Sequence, residues 1–92
     1  HFRTLRVSPA GQAKWGLDIH PQLEPPGDPI QLRALDAQGA VLEEIRAYLE
    51  ASPDGEEAYF IPAGHAEWHS VQVPGGPAVP YGAATEYEPF AR

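Results

Sequence analysis

Ser8-Pro9-Ala10-Gly11, Asp36-Ala37-Gln38-Gly39 and Ser52-Pro53-Asp54-Gly55 repeat one turn signature, each flanked by residues that alternate apolar and polar. Such a segment closes a β-hairpin. The Ser or Asp side chain caps the turn, Pro in two of the three is pre-set for the second position, and the closing Gly accepts the positive φ of the bulge that returns the chain to its ladder. Strands joined this way predict an all-β domain: a small antiparallel sandwich, immunoglobulin-like, or a barrel, of about six to seven strands built from hairpins.

A chain of 92 residues can bury one core and not two. Apolar residues make up 42% of it, but fourteen of them are Ala, so the core must draw on Leu, Ile, Val and the nine aromatics. Phe2 to Val7 reads as a strand. After the first turn, Ala13, Trp15, Leu17 and Ile19 alternate against Lys14, Gly16, Asp18 and His20, which turns Trp15 toward the core. Pro21 to Pro29 holds four prolines and Gly27, which excludes a helix or central strand and predicts a long crossing loop. Ile30, Leu32 and Ala34 then open a second hairpin.

The segment 40–51 supports two readings. Val41, Leu42, Ile45, Tyr48 and Leu49 form a helical stripe, which would make the domain α+β with a helix at 40–51. As a strand, Val41, Ile45, Ala47 and Leu49 share one face and Leu42, Glu44, Arg46, Tyr48 and Glu50 the other, with Glu43 misplaced. Hairpin turns bracket the segment on both sides and favour the strand. Glu56 to Ile61 and Ala66 to Val73 complete the strand set. The expected organisation is a β-sandwich domain over 1–73, followed by a Pro/Gly-rich aromatic tail over 74–92 that serves as an edge segment or a linker.

Net charge is −7, and Arg92 is the sole Lys or Arg after Arg46. A phosphate backbone needs clustered Lys and Arg, so nucleic acid is excluded as a partner, and anionic membrane surfaces are disfavoured on the same ground. No apolar run reaches the roughly 18–20 residues of a membrane span, so no membrane insertion is expected. Without Cys there is no disulfide or thiolate chemistry. A chain opening on His1-Phe2-Arg3 is expected to be a processed form or a domain of a larger protein, and a processed His1 would favour an extracytoplasmic location.

The densest chemistry lies at His65-Ala66-Glu67-Trp68-His69. On a strand, His65, Glu67 and His69 would share a face and could bind a divalent metal such as Zn or Cu, or Fe, with His20 or His1 as a further ligand. The order His1 then Ser8-Pro9-Ala10-Gly11 resembles the opening of the small periplasmic copper-carrier sandwiches. That resemblance implies copper held by the terminal amine and imidazole of His1. Ile61-Pro62-Ala63-Gly64-His65 is similar to the later motif of cupin barrels, which implies His65 as a metal ligand; the earlier paired-His motif has no counterpart, since His20 stands single before Pro21.

No catalytic constellation forms. Neighbouring Ser70 and His69 would point to opposite faces of a strand, and Glu43-Glu44 and Glu56-Glu57 read as solvated doublets. The aromatics point to binding instead: more rings are present than a one-layer core can bury, with Tyr48, Trp68, Tyr81 and Tyr87 the candidate contact residues. The functional expectation is a non-enzymatic binding module of a larger or processed protein, with a protein or carbohydrate as partner. The alternative is a small metal-binding protein.

Overall fold

Each of the three turn signatures closes a hairpin. In the computed structural model, which describes residues 2–19, 27–63, 67–76 and 78–81, Gly11, Gly39 and Gly55 donate their N–H to Ser8, Asp36 and Ser52 at 2.9–3.0 Å, all at positive φ. The side-chain oxygens of the first two turns cap as expected, whereas in the third Asp54 Oδ1 accepts from the Glu56 N–H at 3.1 Å. Asp36 Oδ1 accepts from the N–H groups of Gln38 and Ala40 at 2.9 Å each, and Ser8 Oγ accepts from Gln12 at 3.1 Å.

These turns join β1 (Phe2–Val7) to β2 (Ala13–Ile19), β3 (Asp28–Leu35) to β4 (Val41–Ala51), and β4 to β5 (Glu57–Pro62). A fourth turn at Val73–Gly76, which sequence reading did not single out, joins β6 (Ser70–Gln72) to β7 (Ala78–Pro80). The seven strands of the described residues form one antiparallel sheet in the order β2-β1-β5-β4-β3-β6-β7. The fold is therefore all-β, as expected, and barrel-like. The long strand β4 is the corner: it pairs with β3 through Val41–Leu49 and with β5 through Tyr48–Ala51. Curling there brings the two edge strands together, and the Trp15 indole N–H on β2 donates to the Pro80 carbonyl at the end of β7, 2.6 Å away.

Period-two alternation places Leu32 and Ala34 of β3, Ile45 and Ala47 of β4, and Tyr59 and Ile61 of β5 inside the barrel. Trp15, only 4% exposed, joins them with Leu5 and Val71. On the opposite face, Thr4 and Phe60 pair across β1 and β5 and are also buried.

The helix alternative at 40–51 is excluded, because every residue of Val41–Ala51 lies in β4. The face assignment needs one correction. Between Ala34 and Leu35 the partner on β4 shifts from Glu43 to Val41, so the ladder carries a bulge with an extra residue on β4. Val41 does not share the buried face of Ile45. It and Leu42 are 51% and 46% exposed, while the misplaced Glu43 accepts the indole N–H of buried Trp68 at 3.0 Å. A second register shift, between Arg3 and Leu5, interrupts the single alternation read across Ala13–Ile19. The strand expected over Ala66–Val73 starts at Ser70, with Glu67 in a turn before it.

Candidate functional site

The expected metal cluster is described only at Glu67 and His69, both exposed; His1, His20 and His65 lie outside the described residues, as does Tyr87. His69 contributes through its backbone: its N–H donates to the Leu35 carbonyl and its carbonyl accepts from Tyr81, both at 2.9 Å. It thus stitches the start of β6 to strands on both sides. Among the described residues no group of three or more His, Asp or Glu is placed to hold a metal ion.

The aromatic side chains fill and seal the barrel. Tyr81 stands edge-on to Trp15 at 5.2 Å and to Trp68 at 5.3 Å between ring centroids, with the Arg3 guanidinium 5.8 Å from its own centroid. Its hydroxyl reaches the Pro62 carbonyl at 3.4 Å. Trp68, a candidate contact residue, is 3% exposed and belongs to the core. Tyr48 is half-buried with its ring 6.1 Å from that of Phe2, again edge to face. A one-layer sheet could not bury this many rings; a sheet rolled into a barrel encloses a volume that can.

Tyr59 points inward and donates to Glu57 Oε1 at 3.0 Å. Burial first, then this hydrogen bond and the Glu57 charge, push its pKa up to about 12. The phenol stays protonated at neutral pH and works as a structural donor.

Among the described residues, two depressions on the outer surface are lined by charged or polar side chains. The smaller, about 110 Å³, is lined by Arg6, Ser8, Gln12, Lys14 and Glu56, and Arg6 already pairs with Glu56 at 3.0 Å. The larger, about 340 Å³, is lined by Gln31, Arg33, Gln72 and the turn residues Val73, Pro74 and Gly75. It exists because β3 and β6 pair only through Arg33–Gln72, Ala34–Val71 and Leu35–Ser70. Past Gln72 the chain turns away, and among the described residues β3 from Asp28 to Leu32 has a strand neighbour on the β4 side only.

Around this cleft the outer face of β4, β3 and β6 is polar at its centre. Cross-strand neighbours are Gln31 with Arg46, Arg33 with Glu44, and Arg33 with Gln72, all of them exposed. Arg33 touches Glu44 through Nε at 3.9 Å, with both side chains about 60% exposed. Val41 and Leu42 lie at the far end of the same β4 stripe. Sequence alternation already separates Glu44, Arg46 and Tyr48 from the buried face. That Arg33, Gln31 and Gln72 share a cleft depends on a β3–β6 pairing with no local signal.

No protein-family model, curated protein or solved structure matches this chain. The fold is a small, antiparallel, barrel-like sheet, and the functional reading rests on the polar cleft beside Arg33 and its surroundings.

Proposed function

We propose that this domain is a non-enzymatic interaction module that docks a protein partner on the outer face of β4, β3 and β6. The observation that carries the reading is the composition of that face. Val41 and Leu42, adjacent at the bulge, are the exposed large hydrophobics among the described residues, and exposed Arg33 and Arg46 stand on the same face. Scattered exposed apolar residues are ordinary on any surface. An adjacent apolar pair beside arginines and uncharged amides matches the make-up of protein interfaces, in which Arg is enriched and carries hot-spot energy.

The ring geometry favours a protein over a sugar. Stacking a pyranose needs an aromatic face laid open to solvent, whereas Trp15 and Trp68 are buried and Tyr48 and Tyr81 are engaged edge-on by other rings. Scale sets the strength. Strands of 11, 8 and 3 residues, at about 3.3 Å per residue and about 4.8 Å apart, offer a patch of roughly 350 Å², a little under half of what each partner contributes to a standard interface. The contact is therefore weak and transient, or made with a short segment of the partner.

A photo-crosslinking residue placed at position 42, with a control at exposed Gln12 on the first hairpin turn, tests this in extracts of the cells that make the protein. The expected result is a discrete adduct from position 42 that excess unlabelled wild-type chain competes away and an Arg33→Glu/Arg46→Glu variant does not. Equal adducts from both positions refute the face.

A further inference from the structure

We propose that the cleft between Gln31 of β3 and the β6–β7 turn takes the carboxylate of an extended acidic peptide, with Arg33 as its ion partner. The inference deepens the interaction reading by giving the partner segment a chemistry.

Arg33 is the charged residue lining the cleft, and its terminal nitrogens meet no partner among the described residues. Its one contact, Nε to Glu44 at 3.9 Å, is long and solvent-exposed. A carboxylate arriving in bidentate geometry on the guanidinium makes two charge-assisted hydrogen bonds and outcompetes such a screened pair. The carboxamides of Gln31 and Gln72 flank Arg33 on β3 and β6 and add N–H donors without adding charge. Two of the six Lys and Arg residues of a chain with net charge −7, Arg33 and Arg46, lie on this one face. In the cross-strand pairs beside the cleft these two arginines stand against Glu44 alone, so its immediate surroundings favour an anion, while the Debye length of about 8 Å at physiological salt mutes more distant acids such as Glu50.

The shape selects a peptide. Its volume of about 340 Å³ is at the small end of ligand sites and suits a few residues. Among the described residues the stretch Asp28–Leu32 of β3 has a strand on the β4 side only, an edge along which an extended segment can lie. Pro29 on that stretch has no N–H to give, so the added ladder is short and the carboxylate–Arg33 contact must supply the selectivity.

The test is an NMR titration of the ¹⁵N-labelled full chain with the blocked peptide acetyl-Glu-Val-Glu-Val-Glu-Val-amide and its Glu→Gln counterpart. The Glu peptide is expected to shift the amides of Gln31, Arg33, Gln72 and Gly75, and the Gln peptide to bind at least about tenfold more weakly. In Arg33→Gln, whose melting temperature should match the wild type because residue 33 is exposed, that difference disappears. Equal affinity of the two peptides overturns the carboxylate site, as does equal affinity of wild type and Arg33→Gln. Charge-independent shifts confined to Val41 and Leu42 overturn it while leaving the interaction face in place. Silence with both peptides at millimolar concentration also overturns it, and the crosslinking experiment then judges the face independently.

Discussion

Replacing Trp15 with Phe tests how the barrel is held shut. Strands β2 and β7 stand at opposite ends of the sheet order, and no backbone ladder joins them. Their described links are the Trp15 indole N–H to the Pro80 carbonyl at 2.6 Å and the edge-on packing of Trp15 against Tyr81. Phenylalanine keeps a ring in the core and removes the donor. The hydrogen bond is worth about 0.5–1.5 kcal/mol net, and the lower half of that range applies because Pro80 is exposed and water can reach its carbonyl. The smaller ring loses roughly another 1 kcal/mol of burial and aromatic contact.

The total of about 2 kcal/mol is a large share of a marginal stability and lowers the melting temperature by roughly 8–15 °C in a domain of this size. Denaturant unfolding measures the global loss, and native-state hydrogen exchange locates it. Amides of the β6–β7 hairpin, including the Tyr81 N–H bonded to His69, should exchange faster by more than the global loss accounts for, whereas those of Leu32 and Ile45 should follow the global loss. If β7 amides gain no extra exchange while the whole protein is destabilised, Trp15 is core filling and the clasp argument is wrong. Trp15→Ala, expected to cost about 3–5 kcal/mol, sets the scale for losing the side chain altogether.

Two glycines should respond differently to alanine. At Gly27, with φ of 102°, a Cβ would collide with the Leu49 carbonyl, so Gly27→Ala should cost at least about 3 kcal/mol; at Gly39, with φ of 83° and open space, the cost should be about 1 kcal/mol, and equal losses in denaturant unfolding would refute the close approach. Tyr59 should ionise near pH 12 in a spectrophotometric titration. Its pKa is raised above the ordinary value of about 10, so the stabilisation is complete below pH 10 and is lost as pH rises toward 12, a loss that Tyr59→Phe should abolish. Chelator should leave the melting temperature unchanged, since no three ligating side chains converge among the described residues; a metal-dependent rise that vanishes in His65→Ala/His69→Ala would revive the metal reading.

Legibility followed the range of each interaction. The turns at Ser8, Asp36 and Ser52 were readable because four residues contain all the chemistry that closes them. The strand identity of 41–51 was half-readable: its own residues fit a helix as well, and the hairpin turns on both sides broke the tie. Glu43, out of place in the alternation, was the sign of the bulge, but its partner Trp68 lies 25 residues away, and nothing local announces that contact. Tyr48 and Trp68 were candidate contact residues because a one-layer core is too small for all the rings; rolling the sheet buried Trp68 and half-buried Tyr48.

Hairpin turns, strand alternation and the acidic balance follow from neighbours along the chain, so order and composition suffice to write an all-β domain with a polar exterior. Closure of the barrel by Trp15 against Pro80, the inward turn of Trp68, and the meeting of Gln31, Arg33 and Gln72 around one cleft belong to another class. Each needs strands far apart in sequence to choose partners and register, and that choice is made by burying apolar area over the whole sheet at once. The candidate site lies where that pairing stops, at the end of the short β3–β6 ladder.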